Sequence, residues 1–320
     1  MFFEGSEKKA EIIIDSQQLS LLDDFSDDFW TTLVKHCDAV ILSHISNSQC
    51  KAFLLSESSL FIWNDRLLIL TCGTTRLVNA IEYFLGQVEH KAILQLIYQR
   101  KNEYFSPTQP SHFVDDIKRL EQQLSGVAYR FGELDGHHNY LYHLDNDYQA
   151  DADDITYELL AYQISEAASA QLSVSGLSTT DIRQVLQISQ WLAGFTIDDH
   201  VFEPFGYSLN AIKDDKYVTI HVTPQATSSY VSFESNLDLL EEMPQILAIL
   251  QPASFDLVSF NESQFASRIN QLTPTNYSAK TLARSPLFNG FEVCFASYMQ
   301  PQQQFSAPTR LNLSGDDHAF

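Results

Sequence analysis

The sequence predicts an α+β fold with largely antiparallel sheets, on three observations. Short β-rich runs come in neighbouring pairs joined by polar turns, as on either side of Asn64-Asp65 and of Asp214-Asp215. Between such pairs lie longer stretches whose apolar residues recur at helical spacing. The mixture then repeats after an acidic, apolar-poor run from Asp145 to Asp154, which reads as a surface loop and as the junction between two halves.

In chain order, residues 10–14 read as a strand, and the acidic stretch 23–28 leads into an amphipathic helix through Phe29, Trp30 and Leu33. Strands over 39–45 and 51–55 follow. Over 74–88, Leu77, Val78, Ile81, Phe84, Leu85 and Val88 share one side of a helix, a core stripe rather than a cofactor box. Strands are expected near 92–99, 126–134 and 139–144, with a helix near 113–124 between the first two. The second half offers a strand near 156–163, a helix near 180–192, a strand near 194–197 and a hairpin over 205–223. A helix near 237–250 and strands near 255–260 and 290–298 complete it, and 300–320, rich in Gln, Pro and Asp, reads as a frayed tail.

At 320 residues, 44% hydrophobic and 12% aromatic, the chain can bury a large core as one big domain or two fused halves. Its net charge of −22 argues against nucleic acid or anionic membrane as partner and is compatible with a cationic substrate or activator, although most of it is solvated surface. The four cysteines, Cys37, Cys50, Cys72 and Cys294, show neither a CxxC pair nor metal-ligand spacing, so a reduced, cytoplasmic protein without a metal is expected. The start, Met1-Phe2-Phe3 followed by Glu4, Glu7, Lys8 and Lys9, lacks the features of a signal peptide, and no apolar run approaches the ~20 residues of a membrane span.

One stretch stands out. In Leu54-Leu55-Ser56-Glu57-Ser58-Ser59-Leu60-Phe61-Ile62-Trp63, a Glu-Ser-Ser triplet interrupts two apolar runs, which makes it either a turn between strands or a chemical site. The hairpin after it climbs through residues 67–71 to Cys72-Gly73-Thr74-Thr75, and its layout matches that of the hairpin from Ser208 to His221. With the second turn centred on Asp214-Asp215, Ser208 falls directly across from His221, close enough for hydroxyl and imidazole to cooperate. Alternation puts Val218, Ile220 and Val222 on one face and Tyr217, Thr219 and His221 on the other. In the first hairpin Cys72 lands opposite Glu57 or Ser58, depending on whether the loop has two or three residues.

A set of segments in order carries a family resemblance: Phe2-Phe3-Glu4-Gly5-Ser6-Glu7-Lys8, Leu55-Ser56-Glu57-Ser58-Ser59, Thr71-Cys72-Gly73-Thr74-Thr75, Arg100-Lys101-Asn102, Phe202-Glu203-Pro204-Phe205-Gly206-Tyr207-Ser208-Leu209-Asn210, the run from Tyr217 to Pro224, and the run from Ser229 to Asn236. The chain resembles the eukaryotic-type S-adenosylmethionine decarboxylase proenzymes. That resemblance implies one domain over 1–320, folded as a four-layer αββα sandwich of two duplicated halves, the two matching hairpins being what the duplication leaves behind. It implies cleavage between Glu57 and Ser58 into a β chain of 1–57 and an α chain of 58–320, with a self-made pyruvoyl group at position 58 and neither metal nor pyridoxal phosphate. Ser58 would attack the Glu57 carbonyl, Ser208 would assist around the resulting oxyoxazolidine, and His221 would take the Ser58 α-proton. In turnover the pyruvoyl group would hold the substrate amine as a Schiff base, and Cys72 would return a proton to the substrate. Phe3 and Phe202 match the aromatic pair around the adenine, Glu4 and Glu7 match acidic residues of the site, and Glu57 borders it.

Two positions depart from the family pattern. Gln225 stands where a Glu usually takes both ribose hydroxyls, and an amide can accept only through its carbonyl oxygen. Leu70 stands where members activated by putrescine have Lys, although Glu11, Asp154, Glu158, Glu234 and Arg100 match their buried acidic site, so weak or absent activation is expected. The leading expectation is a decarboxylase of S-adenosylmethionine, supplying spermidine synthesis. The rivals are a pyruvoyl decarboxylase of ornithine or arginine and a non-catalytic regulatory subunit. A homodimer stays open.

Overall fold

The structure is a computed structural model that describes residues 7–101, 109–225, 228–287 and 290–301. Two eight-stranded sheets form, and neighbouring strands in both run antiparallel. Across the first sheet the order is β2 (Ile41–Ser46), β3 (Lys51–Leu55), β4 (Ser58–Ile62), β5 (Arg66–Thr71), β1 (Lys8–Ile14), β6 (Ile93–Lys101), β8 (His138–Leu144) and β7 (Gly126–Gly132). Across the second it is β10 (Thr196–Val201), β11 (Tyr207–Lys213), β12 (Lys216–Thr223), β13 (Tyr230–Ser235), β9 (Thr156–Tyr162), β14 (Ser254–Phe260), β16 (Glu292–Met299) and β15 (Ser278–Pro286). Adding eight to each strand number turns the first order into the second, so the chain is a duplication, and 145–155 is the junction the acidic run predicts.

Strand alternation builds the layers. In β1, Ala10, Ile12 and Ile14 join a core under α1 (Asp27–His36), α2 (Leu77–Leu85) and α3 (Phe113–Leu120), while Ile13 packs in a separate cluster with residues of the second sheet. In β12, Val218, Ile220 and Val222 pack under α7 (Leu239–Leu250) and its neighbouring helices, and Tyr217 faces the first sheet. The result is a four-layer αββα sandwich in which β3 packs on β11, β2 on β10 and β7 on β15. Equivalent strands therefore meet across a pseudo-twofold axis. The helix ends follow local chemistry: in α1, Ser26 accepts from the Phe29 N–H, Asp27 and Asp28 sit at the positive end, and Lys35 and His36 at the negative end.

Several expectations change. The matching hairpins are not duplicates of each other, because β4–β5 corresponds to β12–β13 and β11–β12 corresponds to β3–β4. Similar turn chemistry in adjacent hairpins produced the off-by-one match. The helix expected over 180–192 divides into α5 (Thr179–Val185) and α6 (Ile188–Trp191), with Gln187 left-handed between them at φ 54°. The helices α4 (Glu166–Leu172) and α8 (Phe265–Leu272) and the edge strand β15 lack a long apolar signal, and the inner strand β13 is likewise absent from the expected strands. Of the expected tail, Gln300 is anchored through its N–H to the Ala253 carbonyl and its amide to the Tyr277 hydroxyl, and 302–320 lie outside the described residues. Among the described residues no helix is long and apolar enough to cross a membrane.

Candidate active site

Ser56 and Glu57 form the two-residue turn between β3 and β4, with Leu55 opposite Ser58. The triplet is thus a turn and a site at once. Ser58 sits at φ 141°, a region that L-residues rarely adopt, at a cost on the order of 1–3 kcal/mol that persists only where neighbours impose the conformation. Ladders to Leu55 on one side and Thr71 on the other do so. The β4–β5 loop has two residues, which settles the open register: Cys72 faces Glu57, its N–H donating to the Glu57 carbonyl at 3.0 Å and its Sγ approaching the same oxygen at 3.4 Å. Lys8 Nζ and the Gln109 amide both donate to the Gly73 carbonyl, at 2.7 and 3.1 Å, and hold the turn that follows Cys72.

Across the sandwich, Ser208 and His221 are direct partners in the β11–β12 ladder, as the turn position predicts. His221 Nδ1 lies 2.8 Å from Ser208 Oγ, and its Nε2 lies 2.9 Å from Ser58 Oγ, 2.8 Å from Thr219 Oγ1 and 3.3 Å from Ser59 Oγ. Burial drives the imidazole pKa down to about 4, against a weaker upward pull from Glu7. At neutral pH the ring is uncharged and one nitrogen can accept a proton. Burial, helped by Glu57 and Glu7, pushes the Cys72 thiol well above its ordinary value, which keeps it an S–H acid rather than a thiolate. The half-buried Glu57 carboxyl is also raised by burial, with Lys8 opposing.

Beside this cluster the inter-sheet layer holds a buried charge network. Lys9 Nζ reaches Glu158 at 3.0 Å and Glu234 at 2.5 Å, Lys101 Nζ reaches Glu7 at 2.7 Å and Glu158 at 2.6 Å, and Arg66 bridges Glu11 at 2.9 Å and Asp154 at 2.5 Å. Burial opposes the charge on Glu158, but Lys101 and Lys9 outweigh it and hold the carboxyl at about 2. Glu234 goes the other way, up to about 7, because burial and the neighbouring Glu158 exceed the help from Lys9. Leu70 is the ladder partner of Lys9, so a positive charge absent from position 70 stands on the adjacent strand.

The adenosylmethionine decarboxylase family model matches residues 1–300. The chain belongs to that family. The S-adenosylmethionine decarboxylase proenzyme of Xenopus laevis is 30% identical over 326 residues, spanning 94% of this chain and 97% of that protein. The Leishmania donovani proenzyme is 30% identical over 278 residues, spanning 81% and 73%. A crystal structure of the Trypanosoma brucei AdoMetDC-delta26 monomer matches with a TM-score of 0.59 at 22% identity, over 76% of this chain and 99% of that one, and shares the fold.

Other positions matched to the decarboxylase family divide. Phe3 and Glu4 lie outside the described residues. Glu7 is buried, paired with Lys101 and within 3.5 Å of the Tyr230 hydroxyl. Phe202 follows β10 at the sheet end that also carries Ser208 and Gln225, its ring against His200. Gln225 Oε1 already accepts from Ser228 Oγ at 3.0 Å. Arg100 does not join the acidic network: alternation turns it to the helix layer, where it pairs with Asp116 at 2.8 Å beside Tyr98 and Ser111. Sequence reasoning missed Lys9, Lys101, Arg66, Ser59, Asn210 and Thr219. One signal was available, since Glu7, Lys9 and Glu11 alternate with Lys8, Ala10 and Ile12 and so share one face of a buried central strand.

Proposed function

We propose that this chain is a proenzyme that cleaves itself between Glu57 and Ser58 and, as the α and β chains so formed, decarboxylates S-adenosylmethionine. The observation that carries this is Ser58 Oγ at 2.9 Å from a half-buried, neutral His221, on a strained backbone one bond from the Glu57 carbonyl. Ser58 Oγ–H gives its proton to His221 Nε2 as Oγ bonds to the Glu57 carbonyl carbon. The C–N bond of Ser58 then breaks, and the proton passes to the freed amine. His221 next removes the Ser58 α-proton, the ester oxygen leaves with Glu57 as its carboxylate, and water hydrolyses the remaining residue with loss of ammonia. Residue 58 becomes a pyruvoyl cap.

The residues present fit that group: its precursor hydroxyl is buried against a neutral base, and Cys72 is held as a protonated acid beside it. The pyruvoyl carbonyl supplies the electron sink that decarboxylating an amino acid requires. Cys72 Sγ–H then returns a proton to the substrate carbon, with Gly73 fixed by Lys8 and Gln109. Ser58, Cys72, Ser208 and His221 are all present, which disfavours a regulatory subunit, and family membership disfavours ornithine or arginine as substrate. Four free thiols, three of them buried, suit the reducing cytoplasm.

Putrescine is expected to change cleavage and turnover by less than about twofold, because Lys9 and Arg66 already pair with the carboxylates it would need. Rates with and without added diamine check this. The primary test is intact mass of the purified protein beside Ser58→Ala. Two fragments from the parent, the larger blocked at its N-terminus, and a whole variant support the reading; a single whole chain from folded parent overturns it.

A further inference from the structure

His221 Nε2 has one lone pair, yet three hydroxyls crowd it: Thr219 at 2.8 Å, Ser58 at 2.9 Å and Ser59 at 3.3 Å. If Thr219 or Ser59 donates to that nitrogen, it cannot accept the Ser58 proton. The geometry points to Asn210 as the residue that prevents this, acting through Ser59 and Thr219 as positioning residues for self-cleavage; the inference rests on the cleavage reading above. Asn210 Nδ2 donates to the Phe53 carbonyl at 3.0 Å, which turns its Oδ1 toward Ser59. Oδ1 can only accept, so the 2.6 Å contact spends the single proton of Ser59 on Asn210. Ser59 Oγ is then an acceptor, and at 3.0 Å it offers Thr219 a place for its own proton. Both competing protons now point away from Nε2, and its lone pair is left to Ser58. Asn210, Ser59 and Thr219 are fully buried, so no solvent supplies a substitute for the missing acceptor.

This arrangement makes a prediction that packing alone does not. Ser59→Ala removes the acceptor for Thr219, whose proton must then go to Nε2, and cleavage slows at least about tenfold. Adding Thr219→Val removes the competitor as well, and cleavage recovers to within a few-fold of the parent although one more polar contact is gone. Asn210→Leu frees the Ser59 proton and slows cleavage like Ser59→Ala. The measurement is the half-time of fragment appearance after a labelled pulse of cell-free synthesis of the full chain. Thermal melting of each variant in a Ser58→Ala background reports folding. A double variant slower than, or equal to, Ser59→Ala alone overturns the inference while leaving the cleavage reading intact. A parent that never cleaves overturns both. Should Asn210→Leu fail to fold, the Ser59 and Thr219 pair still decides.

Discussion

β4 and β12 occupy the same place in their respective sheets, and they face each other running in opposite directions, since Ser58 meets His221 and Phe61 meets Tyr217. At one end of the pair, Ser58 and Ser59 of β4 meet Thr219 and His221 of β12. At the other, Phe61 and the following Trp63 meet Tyr217, with ring centroids 5.0 and 5.2 Å away, and the Trp63 indole donates to the Asp215 carbonyl at 3.2 Å. Backbone geometry is shared, but one end is a network of exchangeable protons and the other is an aromatic plug. The central strands divide in the same way: β1 brings Lys9 and its counterpart β9 brings Glu158. Duplication supplies a symmetric scaffold, and chemistry arises where the two copies differ.

The sharpest way to break that comparison is at His221. His221→Ala should slow self-cleavage at least about 100-fold while the precursor stays folded, as followed by intact mass and circular dichroism. Next is the charge asymmetry. Lys9→Met leaves Glu158 and Glu234 short of a cation and should cost about 3–5 kcal/mol in urea unfolding of the Ser58→Ala precursor. A change below 1 kcal/mol would show that Lys101 alone balances the network.

Acid should expose the polar end in turn. The folded pKa of His221, about 4, lies below its unfolded value of about 6.5. The unfolded chain therefore takes up the proton first. The contribution is full above about pH 6.5 and is lost as pH falls toward 4, amounting to roughly 3 kcal/mol. Cleavage should hold from neutral pH to about 5 and fall near 4, and a midpoint near 6.5 would place His221 in water. The smallest effect belongs to the aromatic end: Phe61→Leu should cost about 1–2 kcal/mol by urea titration and leave cleavage of the folded chain in place. Lost cleavage there would mean that the two ends are coupled.

The partnership of Ser208 with His221 was legible in the sequence, because a hairpin centred on Asp214-Asp215 sets its register locally. So were the faces of β12, since alternation is a property of the strand itself; the duplication showed only as a repeated mixture of strands and helices, because the two hairpins that look alike are not equivalents. The one-residue choice between Glu57 and Ser58 as the partner of Cys72 was not, because it depended on a loop length that residue types leave open. Arg100 was misplaced for a related reason: a buried charge names no face until the neighbouring layers are known. Ser58 and His221 are 163 residues apart on different sheets, and no local rule brings them to 2.9 Å. Stacking of the two copies does that, and the same stacking buries Lys9 and Lys101 among carboxylates from the other half. Residue types and periodicity determined most of the strands, the hairpin and the nucleophile's turn; the tertiary structure decided which base meets that nucleophile and which cations fill the acidic layer, because both depend on packing between sheets.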